Sequence, residues 1–167
     1  MVDCMTHFAS RNSNKTLELG LFSITYGNNA SSFVVGDYFD FTFDSGNLTG
    51  YSGSGTSELT FAPGNYIFEA GLSLNKDTSY NSSAYFYAFH YKLECDTSLD
   101  GTLGICDAYY DYNHAASNQS YLYKNSNNSF DLKLKLTDIY NRTSQLTSAG
   151  NPRTLPEHSC LIVWREV

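Results

Sequence analysis

Positive charge is scarce in this sequence. Ten Lys and Arg residues stand against 17 Asp and Glu residues, which gives a formal net charge of −7 over 167 residues. A protein that binds nucleic acid or an anionic membrane surface needs a basic footprint to neutralise phosphates or lipid headgroups. Because the chain has no basic stripe, we expect neither nucleic acid nor membrane among its partners.

Helical periodicity is also missing. No long window of the sequence keeps apolar residues at i, i+3, i+4 and i+7 against a polar opposite face. The chain contains 14 Tyr and 11 Phe residues instead, and aromatic residues suit the half-buried surface of a pleated sheet. The sequence therefore predicts an all-β fold with little or no helix.

Paired cysteine motifs do not occur. Cys4, Cys95, Cys106 and Cys160 lack the CxxC spacing of zinc ribbons and redox motifs, so we expect no metal site. Cys95 and Cys106 flank the Gly-containing stretch DTSLDGTLGI, whose ends a disulfide could join. The alternative is that the cysteines are buried free thiols, and the redox compartment decides between the two.

Catalytic motifs are absent from the sequence as well. It contains no G-x-S-x-G elbow, no H-E-x-x-H pair and no Cys–His signature. The stretch CDAYYDYNH brings Asp107, Asp111 and His114 together, but without the alternating oxygen ligands and the turn glycine of a calcium loop. His90 lies in an aromatic run, where we expect a buried structural imidazole. We expect a protein that is not an enzyme and that has no cofactor.

The start of the chain carries no recognisable targeting segment. MVDCMTHFASRNSNK lacks a positive beginning followed by a continuous apolar run, so we expect neither a secretory signal nor a membrane anchor. The length predicts one domain over residues 1–167, with residues 1–15 as an irregular N-terminal arm. Asn-x-Ser/Thr triplets are a weak sign of glycosylation, which requires a secretory route. These triplets begin at Asn14, Asn29, Asn47, Asn81, Asn118, Asn127 and Asn141.

Strict alternation of apolar and polar residues indicates β-strands. In GDYFDFTFDSGN, Phe39, Phe41 and Phe43 point one way while Asp40 and Asp44 point the other. FDLKLKLTD alternates Leu with Lys in the same manner. In LTFAPGNYIFEAGLSL, a Pro-Gly turn separates two such runs. Several short strands separated by turns predict a sandwich or barrel.

Two further runs are apolar on both faces. These are AYFYAFHYKLE and, near the C-terminus, CLIVW. A strand that is dry on both sides is either central in a sandwich or covered by another subunit.

The order of these segments resembles the tumour-necrosis-factor-like jelly roll, which is also the fold of the globular head of the first complement component. The resemblance lies in SELTFAPGNYIFEAGLSL, in AYFYAFHYKLE and in the closing SCLIVWREV, and it covers Asp37 to Val167. It implies a jelly-roll β-sandwich that forms a homotrimer, with the first and last strands near the threefold axis. We expect the trimer interface to contain Leu161, Val163, Trp164, Tyr85, Tyr87 and Phe89.

Two functions are compatible with these features. A lone domain that is poor in charge and rich in Tyr, Asn and Ser resembles virion surface proteins such as phage capsid decoration proteins, knobs and fibre tips. This implies a non-enzymatic trimer that binds a viral capsid protein and stabilises or decorates the particle. The alternative is an extracellular or fibre-tip head that binds a host receptor or glycan. The tyrosines of one polar, loop-rich stretch would then make the contact: Tyr109, Tyr110, Tyr112, Tyr121 and Tyr123.

Overall fold

The computed structural model describes residues 16–26, 34–75, 86–109, 116–141, 153–154 and 159–167. These residues form strands and connecting turns, with no helix among them. In particular, they include no helix long and apolar enough to cross a membrane. The strands are β1 (Leu17–Tyr26), β2 (Phe39–Gly46), β3 (Tyr51–Ser52), β4 (Leu59–Phe61), β5 (Gly64–Gly71), β6 (Leu74–Asn75), β7 (Phe86–Cys95), β8 (Gly104–Tyr109), β9 (Ala116–Asn118), β10 (Ser120–Ser126), β11 (Phe130–Asn141), β12 (Arg153–Thr154) and β13 (Cys160–Glu166).

The strands form two main sheets that enclose one core. The five-stranded sheet has the order β10-β5-β13-β1-β2, and the six-stranded sheet has the order β3-β4-β11-β7-β8-β9. All pairs within them are antiparallel, and β6 pairs with β12 separately. Several strands that follow one another in the sequence, such as β2 and β3 or β4 and β5, lie in different sheets, as in a jelly roll. The predicted all-β jelly-roll sandwich is confirmed.

The first described strand lies beside the last. β1 and β13 pair over seven residues, from Leu17 opposite Glu166 to Ser23 opposite Cys160. The sequence predicted this neighbourhood of the two ends, whereas Cys4 and the expected arm over residues 1–15 lie outside the described residues. The pairing places both strands in the middle of the five-stranded sheet.

Alternation along each strand decides which side chains form the core. In β2, Phe39 and Phe41 are fully buried, Phe43 packs against the core, and Asp44 is exposed. The three leucines of β11 are buried in the same way, since a period of two sends every second residue to one face. The alternating segments therefore point inward as the sequence predicts.

The Pro-Gly turn between β4 and β5 carries the chain from one sheet to the other. β4 pairs with β3 and β11, whereas β5 pairs with β10 and β13. The crossing brings Phe61 of β4 against Phe68 of β5, with ring centroids 5.0 Å apart. The turn thus links the two halves of the core rather than closing a hairpin.

The suggested Cys95–Cys106 disulfide is not formed, and both side chains are buried. Cys106 stands opposite Phe89 in the β7–β8 pair, six positions along β7 from Cys95. That offset corresponds to about 20 Å of strand, while a disulfide requires Cα atoms within about 7 Å. The strand register therefore excludes this bridge.

Candidate functional site

The outer face of the five-stranded sheet carries an unusual row of apolar side chains. Leu19, Trp164, Ile67 and Tyr123 stand directly opposite one another across β1, β13, β5 and β10. Leu19 is 41% exposed and Tyr123 is 59% exposed, while Trp164 and Ile67 are half-buried. Residues paired in adjacent strands have Cβ atoms about 5 Å apart, so the four side chains form one continuous band.

A second row runs beside the first. Leu21, Ile162, Glu69 and Tyr121 are again opposite one another on the same four strands. Glu69 is the only charged residue of the two rows, and its Oε1 accepts a hydrogen bond of 3.2 Å from the Tyr121 hydroxyl. The two rows together are called the apolar outer face below. Its members are Leu19, Leu21, Ile67, Glu69, Tyr121, Tyr123, Ile162 and Trp164.

The outer face of the six-stranded sheet has the opposite character. Lys133 Nζ lies 2.6 Å from Glu58 Oε2, and Lys135 Nζ lies 3.3 Å from Glu94 Oε2. The Tyr38 hydroxyl donates to Glu94 at 3.0 Å, and both lysines lie over its ring. The Glu58 carboxylate raises the pKa of Lys133. A surface of paired charges is adapted to water, so among the described side chains the five-stranded sheet presents the face that favours a dry partner.

The structure divides the predicted interface residues between the core and the surface. Leu161, Val163 and Phe89 are buried in the core of their own subunit, so they have no surface left for another copy. Of the predicted contacts whose side chains the structure describes, Trp164 alone lies on the apolar outer face. Tyr87 belongs to β7 in the other sheet, with a side chain outside the described part, and Tyr85 lies outside the described residues.

The predicted tyrosine contacts are divided as well. Tyr121 and Tyr123 lie on the apolar outer face, beside Trp164 rather than on a separate loop surface. Tyr109 ends β8, but its side chain is outside the described part of the structure. Tyr110 and Tyr112 fall outside the described residues. Two residue groups that the sequence assigned to different partners therefore share one surface.

Sequence reasoning missed most of the apolar outer face. Leu17, Leu19 and Leu21 alternate in LELGLFSITY, which is the signal of a strand with an apolar side, but both faces of that segment contain apolar residues. Ile67 and Glu69 alternate with Tyr66 and Phe68 in NYIFEAG, so they share one side of a strand, but their residue types alone indicate no role. Their significance appears only when the register aligns them with Trp164 and Tyr121.

The titratable groups elsewhere in the described part of the chain lie apart from the apolar outer face. Its His, Cys, Asp and Glu side chains include no group of three or more that could hold a metal ion. His90, expected to be buried, is partly exposed, with Nδ1 3.8 Å from Asp138 Oδ2. Asp111, His114 and the side chain of Asp107 lie outside the described part of the structure. The indole Nε1 of Trp164 is buried without a hydrogen-bond partner.

An ion pair joins β1 to β13 beside the apolar outer face. Arg165 Nη1 lies 3.4 Å from Glu18 Oε2, and its guanidinium lies over the Tyr66 ring. Thr49 donates to the same carboxylate from its backbone N at 3.0 Å and from Oγ1 at 2.8 Å. Burial alone would raise the pKa of Glu18, but the Thr49 hydrogen bonds and the Arg165 charge outweigh it, so this pKa lies below its ordinary value.

Replacing Glu18 with Gln should lower the free energy of unfolding by about 1–2 kcal/mol at neutral pH, because charge-assisted hydrogen bonds are lost. A carboxylate with a lowered folded-state pKa contributes its full stability above the unfolded-state pKa of about 4.3. That contribution disappears as the pH falls through the folded-state value. Urea unfolding at several pH values should therefore show the variant and the parent chain converging in acid, and a constant difference would contradict the assignment.

The chain is similar to known proteins in structure and not in sequence. No protein-family model and no curated protein sequence matches the chain. Among solved structures, murine APRIL at pH 8.0 is similar with 11% sequence identity and a TM-score of 0.44, covering 88% of this chain and 98% of that chain. Murine APRIL at pH 8.5 gives 10% identity and a TM-score of 0.42 over the same shares. The jelly-roll assignment rests on the strand order itself.

Proposed function

We propose that this protein is a non-enzymatic assembly protein, a homotrimer whose subunits contact one another through the apolar outer face. The observation that supports this proposal is the difference between the two sheets. The described outer side chains of the six-stranded sheet include Lys–Glu pairs that face solvent. The outer face of the five-stranded sheet exposes two rows of mainly Leu, Ile, Trp and Tyr side chains. Permanent subunit interfaces are more apolar than transient ones.

A second copy of the chain is the occupant that this face favours. An exposed apolar surface needs a partner that is present wherever the chain is synthesised. Another copy of the same chain meets this condition. Cyclic symmetry closes such a contact without leaving an unpaired surface. The face also lies on β1 and β13, the first and last described strands, which the resemblance places near a threefold axis. A trimer through this face therefore uses the predicted strands and keeps Trp164 as a contact, but not Leu161 or Val163.

Trp164→Arg and Tyr123→Arg should each weaken assembly by at least about tenfold, because buried Trp and Tyr anchors commonly contribute 2 kcal/mol or more to an interface. Sedimentation equilibrium of the parent chain should give three times the 18.6 kDa subunit mass. Tyr123→Arg is the safer variant, since that side chain is 59% exposed in the single subunit and its loss leaves the core intact.

The matched control is Val35→Arg. Val35 is 53% exposed and lies in a turn beside Gly36, which bonds to Leu136 of the six-stranded sheet. The same apolar-to-Arg change away from the apolar outer face should leave the mass unchanged. A parent chain that sediments as a monomer at micromolar concentration, or an assembly that tolerates both Arg variants, would contradict the proposal.

We further propose that the trimer sits on a viral capsid as a decoration protein. The support is compositional: the chain is poor in charge and rich in Tyr, Asn and Ser, and its sequence contains none of the catalytic motifs sought. Quantitative mass spectrometry of purified particles should find the protein at a copy number that is a multiple of three and comparable to the capsid protein. A count of only a few copies per particle would instead fit a fibre tip.

The second candidate is a receptor- or glycan-binding head at a virion or extracellular surface. Tyr121 and Tyr123 favour it, since exposed tyrosines on a flat sheet combine contact area with a hydroxyl group. The two proposed functions would use the same face, so one substitution distinguishes them. If the protein is a binding head, Tyr123→Ala should abolish carbohydrate or cell-surface binding and leave the sedimented mass of the assembly unchanged.

A further inference from the structure

The edge of β10 is open over part of its length. In the described part of the chain, β5 is the only strand that pairs with β10. At Tyr121 the other side of β10 is covered, because Tyr121 N donates to Thr102 Oγ1 and Tyr121 O accepts from Thr102 N, both at 2.8 Å. Backbone groups alternate in direction along an antiparallel strand. Tyr123 and Asn125 therefore also turn their N–H and C=O groups away from β5.

These two positions lack the cover that Tyr121 has. Tyr123 and Asn125 are both exposed, and the described residues give their outward backbone groups no hydrogen bond. The opposite edge of the same sheet is covered, since Phe41 N donates to Thr56 O and Phe41 O accepts from Gly55 N. Two donors and two acceptors on β10 remain for another strand, which is the ligand that a free sheet edge binds.

The free edge is complementary to a second copy of itself. When two β10 strands run antiparallel about a twofold axis at Lys124, Tyr123 of each copy stands opposite Asn125 of the other. Both residues turn their backbone groups toward the neighbouring strand, so each such pair exchanges two hydrogen bonds. The two pairs together satisfy every outward donor and acceptor of both edges.

The ends of β10 allow this register. The position opposite Tyr121 would be Asn127 of the other copy, and β10 ends one residue earlier, at Ser126. Thr102 therefore keeps its bonds to Tyr121 while the two strands pair. β10 contains no proline and pairs with β5 without a register shift. Proline and bulges are two of the devices that protect sheet edges from pairing.

Lys124 is the charged residue of β10, and it is directed toward its own subunit. Its Nζ lies 5.7 Å from the centroid of the Phe130 ring. A hydrogen bond to the Cys95 thiol, followed by the charges of Asp96 and Asp100, raises the pKa of Lys124. In the twofold register Lys124 stands opposite the same residue of the other copy, and like charges in this arrangement oppose pairing. The contact therefore forms at high local concentration rather than in dilute solution.

We propose that the edge of β10 is a second self-association site, at which two copies join edge to edge and extend their five-stranded sheets into one continuous sheet. This inference goes beyond the proposed trimer and does not require it. The apolar outer face supplies the contact within a trimer. The β10 edge connects copies that are held close together, such as neighbouring trimers on a crowded surface.

Amide hydrogen exchange followed by NMR locates the contact. The amides of Tyr123 and Asn125 should exchange at least about tenfold more slowly at about 1 mM chain than at about 20 μM, because pairing protects them. The amides of Leu122 and Lys124 point toward β5 and should be protected equally at both concentrations. Equal exchange of Tyr123 and Asn125 at the two concentrations overturns the proposal.

Asn125→Pro removes an outward donor from the edge. The N–H that it deletes faces away from β5, so the strand tolerates proline at this position. Sedimentation equilibrium of the parent chain should show a larger mass at the higher concentration, whereas Asn125→Pro should keep the mass of the lower one. Asn125→Ala is the matched control, because it retains the N–H and should associate like the parent chain.

The outcomes separate this inference from the proposed function. Association at high concentration that persists in Asn125→Pro overturns the edge contact. A parent chain that is monomeric at the lower concentration, and that pairs at the higher one unless Asn125 is Pro, overturns the trimer and supports the edge contact. If Asn125→Pro does not fold by circular dichroism, Lys124→Gln takes its place. It removes the like-charged pair and should tighten the association, and an association that is unchanged or weaker contradicts the register.

Discussion

Replacing Phe61 with Ala should lower the free energy of unfolding by about 3–5 kcal/mol, a large part of the total for a single domain. Phe61 is fully buried, and its ring centroid lies 5.0 Å from Phe68, 5.3 Å from Tyr66 and 5.6 Å from Phe130. Because Phe61 and Phe130 come from one sheet and Tyr66 and Phe68 from the other, the substitution opens a cavity between the layers.

Chemical denaturation followed by tyrosine fluorescence measures this loss. The comparison is best made in a Tyr123→Arg background, since assembly would add a concentration-dependent contribution to stability. Leu99→Ala is the control, because Leu99 is 42% exposed in a loop and its truncation should change stability by less than about 0.5 kcal/mol. A Phe61→Ala loss below about 1 kcal/mol would show that the two sheets do not meet through this ring.

The alternating strands were the part of the fold that the sequence predicted best. In β2 and β11, one side is Phe or Leu and the other is Asp or Lys, so the direction of burial follows from composition alone. The structure buries Phe39, Phe41 and the β11 leucines accordingly. A one-residue register error in such a strand would bury charge, which leaves only one possible orientation.

The closing strand could not be assigned in this way. CLIVW is apolar on both sides, so its composition is equally compatible with either orientation. Pairing with β1 and β5 decides the matter: Leu161 and Val163 face the core, while Ile162 and Trp164 face outward. The sequence therefore predicted that this strand has a second dry face, but not which residues form it.

The Cys95–Cys106 interpretation failed for a related reason. Separation along the chain suggested a loop whose ends meet, but β7 continues to Cys95 after its last partner in β8. The extra length of β7 pairs with β11 instead. Where a strand leaves one partner and keeps another depends on the whole sheet, and no local pattern contains that information.

Replacing Gly104 with Ala should destabilise the protein by about 3 kcal/mol, the upper end of the usual cost of overpacking. Gly104 begins β8 opposite Tyr91, and a Cβ added there would overlap the Tyr91 ring. The ring has nowhere to move, because Tyr91 is fully buried and its hydroxyl is held on two sides. It accepts from Leu72 N at 3.3 Å and donates to Asn118 O at 3.1 Å. Burial raises the pKa of Tyr91, so the hydroxyl keeps the proton it donates.

A double-mutant cycle isolates this clash from other effects of the substitution. Tyr91→Leu removes the ring and is itself destabilising, since it leaves the Leu72 amide and the Asn118 carbonyl without their partner. In that background the added methyl group meets free space, so Gly104→Ala should cost less than about 1 kcal/mol more. Urea unfolding of the four proteins gives the coupling directly. An equal loss in both backgrounds would mean that the cost does not come from the approach of the Tyr91 ring.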